Sequence, residues 1–225
     1  ASVVPIQAFA PSAGPGERYV WNGWTGTGTG SYTGTANPSS VTMGGPISET
    51  ASWLHQYLLT IKTSGLPSAY PTRVYLGGSQ VGTASDASPY TKWVDSGTPT
   101  GTIGVDSTVS GATGTRYVFV KWVEDSSTNN PRASETMNSP KTFTAEYKTQ
   151  YLLTVLTDPA WLTPQPTRNP LGEVGPPNDW WYDPSTVVSL EAPYIAGYKF
   201  LGWKVDGTPV QGNPITVTMS PHTAT

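Results

Sequence analysis

The chain contains no cysteine, which excludes disulfides, thiolate nucleophiles and thiolate metal sites. It is also poor in charge. Lys, Arg, Asp and Glu make up 12% of 225 residues, about half the usual share, and the net charge is −3 with no basic run. Without a basic patch there is no electrostatic footprint for nucleic acid. No apolar stretch approaches the roughly 20 residues that a membrane-spanning helix needs, so no span is expected. His55 and His222 are the only imidazoles, and neither H-x-x-x-H nor G-x-S-x-G occurs. No D-x-D-x-D loop offers the six to eight oxygens that calcium takes. Every Asn that would begin a sequon precedes Pro or lacks the hydroxyl residue, so N-linked sugar is excluded. The expectation is a non-enzyme with no catalytic residue, no cofactor and no metal.

What is abundant is Gly (24), Pro (22), Tyr (12) and Trp (9). Tyr, Trp, Val and Thr favour strands, while frequent Gly and Pro punctuate them and disfavour long helices. Alternation is visible in Thr142-Phe-Thr-Ala-Glu-Tyr147 and Ile215-Thr-Val-Thr-Met219, as half-buried strands require. No 3.6-residue apolar stripe exceeds about two turns. The fold class is therefore all-β. With so little charge, the surface must consist of Thr, Ser, Asn and Gly, which suits a secreted or cell-surface protein.

One phrase occurs three times: Tyr19-Val-Trp-Asn-Gly-Trp24, Tyr117-Val-Phe-Val-Lys-Trp122 and Tyr198-Lys-Phe-Leu-Gly-Trp203. A Met and a nearby Pro follow each: Met43 with Pro46, Met137 with Pro140, Met219 with Pro221. The match extends further at a constant separation, from Met43 to Met137, Trp53 to Tyr147 and Tyr57 to Tyr151. Tyr57-Leu-Leu-Thr-Ile61 returns as Tyr151-Leu-Leu-Thr-Val155, Pro71-Thr-Arg73 as Pro166-Thr-Arg168, and Trp93-Val-Asp95 as Trp181-Tyr-Asp183. Internal repetition indicates an array of similar units. The units read as 1–56, lacking an opening strand; 57–150, with a long insertion between Gly77 and Thr108; and 151–225, with a truncated closing strand. Ser2-Val-Val-Pro-Ile-Gln-Ala8 aligns with Thr186-Val-Val-Ser-Leu-Glu-Ala192. Either this is a piece of a longer array, or head-to-tail subunits complete one another by strand addition. Val3, Val4, Ile6, Ile215 and Val217 are the candidate assembly edges.

The third copy resembles the divergent internalin B-repeat family, also called Listeria–Bacteroides-type repeats. The residues that carry the resemblance are Tyr151-Leu-Leu-Thr-Val155, Tyr182-Asp183-Pro-Ser-Thr186, Gly197-Tyr198-Lys-Phe200-Leu-Gly202-Trp203 and Thr216-Val-Thr-Met219. The second copy lacks the Tyr-Asp-Pro form. The resemblance implies small β-grasp-like or β-sandwich modules in tandem along secreted and cell-surface proteins. It implies a stalk, adhesive or envelope role and carries no catalytic residues.

Trp24, Trp122 and Trp203, with Tyr19, Tyr117 and Tyr198, are expected to anchor the cores, because small β-units with little Leu need large rings to bury enough area. The recurring Met residues read as gap-fillers beside those rings. Trp180-Trp181-Tyr182 is the densest aromatic cluster. Consecutive strand residues point to opposite faces, so part of it is a candidate platform for a sugar ring beside Asn178 and Asp179, or else an inter-unit contact. Trp161 is a second candidate glycan contact. Arg73 and Arg168 read either as solvated or as paired with an acid of the next unit, such as Asp95 or Asp183. The expected function is a non-enzymatic extracellular structural protein, a subunit of a filament, stalk or envelope layer that self-associates through sheet edges. The alternative is an adhesin or carbohydrate-binding array.

Overall fold

The structure, a computed structural model, describes residues 1–175, 179–220 and 222–224; for Gly175, Asp179 and 222–224 it describes the backbone alone. The expected platform residue Asn178 and Pro221 lie outside the described residues, as do the side chains of Asp179 and His222. The described chain is all-β and contains no helix. No helix is long and apolar enough to cross a membrane.

The strands of the first copy are β1 (Ser2–Ile6), β2 (Glu17–Thr27), β3 (Ser39–Met43) and the first part of β4 (Ser48–Ser64). The second copy contains the rest of β4, β5 (Thr72–Leu76), β6 (Ser79–Ala84), β7 (Tyr90–Asp95), β8 (Ile103–Val105), β9 (Thr108–Ser110), β10 (Thr115–Trp122) and the first part of β11 (Lys141–Val155). The third copy follows with the rest of β11, β12 (Thr167–Asn169), β13 (Glu173–Gly175), β14 (Asp179–Tyr182), β15 (Val187–Glu191), β16 (Trp203–Val205), β17 (Thr208–Val210), β18 (Ile215–Thr218) and β19 (His222–Ala224).

The two long strands organise the molecule. β4 runs 17 residues and β11 runs 15, well beyond the usual five or six. Each belongs to two sequence copies at once, because the closing segment of one copy continues as the opening segment of the next without a turn. β4 pairs in parallel with β11 (Leu59–Ser64 beside Lys141–Glu146), and β11 pairs in parallel with β19 (Leu153–Val155 beside 222–224). The result is one 11-stranded sheet.

Small sheets lie against it. The sheet β6-β5-β8 packs on the large sheet to enclose Leu59, Ile61, Val74, Ile103, Trp122 and Met137. The sheet β12-β15-β18 encloses Leu153, Val188, Leu190, Trp203, Ile215 and Val217 in a second core. In the first copy β1 and β3 form a two-stranded sheet whose register repeats that of β15 and β18: Val3 opposite Thr42 and Val4 opposite Val41, as Val187 opposite Thr218 and Val188 opposite Val217.

The Tyr-to-Trp spacing has a mechanical explanation. Five residues is an odd number, so simple alternation would place Tyr and Trp on opposite faces. β2 carries a bulge between Trp21 and Gly23, and β10 carries one between Phe119 and Lys121. The extra residue restores a common face. Tyr117 and Trp122 are both buried, and Trp122 donates its indole N–H to the Asn129 carbonyl at 3.0 Å.

Candidate functional site

The expected anchors divide. Trp24, Trp122, Trp203 and Tyr117 are buried. Tyr19 is half-buried and stacks on His55, with ring centroids 4.5 Å apart. Tyr198 corrects the expectation: it is 45% exposed, because residues 198–202 form no strand that would hold the ring against the core. Met137 and Met219 are buried, whereas Met43 is exposed. Of the expected edges, Val3 and Val4 are exposed on the two-stranded sheet and Ile6 is half-buried. Ile215 and Val217 lie on an outer strand of their sheet, but their side chains belong to the third-copy core, so only backbone is offered there.

Trp181 is part of a joint between copies. The Arg116 guanidinium lies 4.7 Å from the Trp181 ring centroid, and Arg116 Nε donates to Gln150 Oε1 at 2.8 Å. Gln150 Nε2 donates to Asp183 Oδ1 at 3.0 Å. Arg116, Gln150 and Asp183 come from or adjoin three neighbouring strands, β10, β11 and β14. Lys148 and Glu173 close the outside: Lys148 Nζ is 2.9 Å from Glu173 and 3.0 Å from Asp183, and Arg116 is 3.3 Å from Glu173.

The same joint occurs at the preceding boundary. Arg18 lies 4.5 Å from the Trp93 centroid, Arg18 Nε donates to Gln56 Oε1 at 2.7 Å, and Gln56 Nε2 donates to Asp95 Oδ1 at 2.7 Å. A carboxamide suits the centre of such a chain, since its oxygen accepts from the cation and its nitrogen donates to the acid. Burial separates the two joints: Gln150 is buried, while Gln56 is half-buried and Arg18 exposed. Burial lowers the Arg116 pKa, partly offset by Glu173. For Glu173 and Asp183, burial alone would raise the pKa, but the hydrogen bonds and charge of Lys148, with Gln150, leave both below the ordinary carboxylate range.

The remaining candidates fall elsewhere. Tyr182 is buried in the third-copy core, and Trp180 packs against that core with Arg168 5.4 Å from its centroid. Arg73 pairs within its own copy rather than with Asp95 or Asp183: its Nη2 is 3.0 Å from Asp106 Oδ1, and its backbone N–H donates to Asp106 Oδ2 at 3.0 Å. The buried Tyr147 hydroxyl donates to the Asp106 carbonyl at 2.7 Å and sits 2.9 Å from the Thr72 hydroxyl. Trp161 is 68% exposed, and its ring meets Tyr198 edge-on at 5.9 Å. Tyr198, with Lys199, Phe200 and Leu201, helps to line a cavity of about 310 Å³.

An asparagine clamp, which sequence inspection registers only as Asn-Pro, recurs in all three copies. Asn37 takes the N–H of Ala8 on Oδ1 and donates Nδ2 to its carbonyl. Asn130 does the same with Val105, and Asn213 with Ala192. Among the described residues no cluster of three or more His, Cys, Asp or Glu is placed to hold a metal ion. No family model, curated protein or solved structure matches the chain.

Proposed function

We propose that this chain is a non-enzymatic structural protein of the extracellular space, a tandem array of β-grasp-like modules serving as part of a filament, stalk or envelope layer. The observation that carries the reading is the pair of matched joints, each placed where one continuous strand passes from copy to copy. A strand that ends one unit and begins the next leaves no flexible linker. Force along the array is borne by the parallel backbone ladders of β4 with β11 and β11 with β19, and by Arg-Gln-Asp chains that cross the antiparallel ladders β2-β4-β7 and β10-β11-β14. The low charge and the Thr, Ser, Asn and Gly surface support an extracellular location, and the internalin-type repeat resemblance supports the same role. Stretching the chain between its ends by single-molecule force spectroscopy tests this. Extension with the second and third copies yielding as one mechanical unit is expected. Separation at the β11 junction at forces typical of flexible linkers would sink the reading.

A second reading is favoured by one observation: the exposed Tyr198 and Phe200 line the 310 Å³ cavity, and the exposed Trp161 ring meets Tyr198 edge-on, a group of aromatic rings of the kind that stacks on sugars. Under it the third copy is a carbohydrate-binding module. Glycan-array binding lost in Trp161→Ala would establish it.

A further inference from the structure

Among the described residues, the β4 edge of the first copy that faces away from β2 carries no strand along Ser48–Ser52. The equivalent edges of the other copies are both filled. Lys141–Glu146 has β10 on one side and Leu59–Ser64 in parallel on the other. β19 has β16 on one side and Leu153–Val155 in parallel on the other. The occupant belongs to one chemical class each time, Tyr-Leu-Leu-Thr followed by Ile or Val.

That strand also supplies the core. Leu59 and Ile61 are fully buried, and Leu153 and Val155 nearly so. The first copy has no such pair. Its buried apolar residues are Trp24 and Val41, and neither belongs to the two large clusters. Ala51, equivalent to the fully buried Ala145, is only half-buried, as is Trp53, equivalent to the buried Tyr147. The edge thus lacks both a backbone ladder and two aliphatic side chains, which are what its equivalents receive from one strand. Glu49 stands where Phe143 stands in the second copy, and one of its oxygens accepts the Tyr32 N–H at 2.8 Å.

We propose that Ser48–Ser52 is a strand acceptor, which takes in parallel an extended segment of the Tyr-Leu-Leu-Thr-aliphatic class that lies outside residues 1–225. This rests on the structural reading above and names its partner. The register follows from the second copy, where Leu59 faces Lys141 and Ile61 faces Phe143. The incoming residues at those two positions then lie opposite Ile47 and Glu49. Backbone hydrogen bonds supply affinity, and the alternate aliphatic side chains supply selectivity.

The test titrates the 225-residue chain with a synthetic peptide of the sequence Tyr-Leu-Leu-Thr-Ile-Lys-Thr-Ser. Saturable binding is expected, with amide exchange slowed at Ser48–Ser52. The same peptide carrying Leu59→Thr and Ile61→Thr should bind about a hundredfold more weakly, since two buried aliphatic side chains are lost. A spin label on the peptide N-terminus should broaden the Ile47 and Ser48 amides, and one on its C-terminus those of Ser52 and Trp53. No binding at millimolar peptide, equal binding of the Thr variant, or a reversed label pattern would overturn the proposal. So would dimerisation through this edge without peptide, which would make the occupant another copy's own edge. The stretching experiment contains no peptide, so a failed titration leaves its outcome untouched.

Discussion

The Arg116 guanidinium covers the Trp181 ring at 4.7 Å, joining a residue that precedes one Tyr-to-Trp phrase to an aromatic of the following copy. Its side chain is 13% exposed, so this contact is largely shielded from solvent. Arg116→Ala removes a cation–π contact and charge-assisted hydrogen bonds together, for an expected loss of about 1–3 kcal/mol. Arg116→Lys should recover little, because an ammonium lacks the planar fork that reaches ring and carboxamide at once. Arg18→Ala should cost less, since the equivalent side chain is exposed. Urea unfolding of the three variants gives the ranking, and a double-mutant cycle with Trp181→Ala isolates the ring contact.

The asparagine clamp yields a second expectation. Asn130 both accepts from and donates to Val105, a buried residue. Asn130→Asp keeps the shape but removes the donor, leaving the Val105 carbonyl unpaired beside a carboxylate. A loss of about 1–3 kcal/mol is expected for a buried group left unsatisfied. Asn37→Asp, at an exposed clamp, should lose less. Thermal melts of the two variants decide this, and equal losses would show that local burial does not set the cost.

Acid should weaken the protein in a defined window. Burial alone would raise the Asp106 pKa, but hydrogen bonds from the Arg73 side chain and backbone and from Tyr75 leave it below the ordinary value. Glu173 and Asp183 are lowered as well. A depressed folded-state pKa means the unfolded chain takes up protons first as pH falls. The stabilisation is therefore complete above the unfolded carboxylate values near about pH 4, and it is lost as pH drops through the lower folded values. Asp106→Asn should destabilise at pH 7 and flatten the loss between about pH 4 and pH 2. Denaturant midpoints across that range read the slope.

Much of the fold is legible in the residues. Alternation in Thr142–Tyr147 and Ile215–Met219, with the absence of a helical stripe, suffices for an all-β chain, and the alignment of Ser2–Ala8 with Thr186–Ala192 matches the shared register of β1 with β3 and β15 with β18. The joints are less legible. Their signals are Arg before Tyr19 and Tyr117, Gln before Tyr57 and Tyr151, and a Trp-x-Asp in each later copy. Each looks like a solvated residue alone, and only pairing across three strands brings them together. Tyr198 departs from its motif for a related reason. Its motif matches Tyr117, but Tyr117 is held against the core by pairing of β10 with β11, and no strand includes Tyr198.

Trp161 and Trp181 separate the structural and sugar-binding readings. Trp161 is 68% exposed, so Trp161→Ala removes little buried area and should change stability by no more than about 0.5 kcal/mol. Trp181 is half-buried under Arg116 and lies opposite Leu152 in the β11–β14 ladder. Trp181→Ala should therefore destabilise the third copy by about 1–3 kcal/mol, through lost ring burial and the lost cation contact. Hydrogen exchange should locate the loss in β11 and β14. If sugar binding is the function, the order reverses for ligand: Trp161→Ala abolishes glycan retention while the melt stays unchanged. A Trp161→Ala protein that keeps its fold and shows the parent's glycan-array profile would remove the Trp161 ring from consideration and favour the joints as the functional feature.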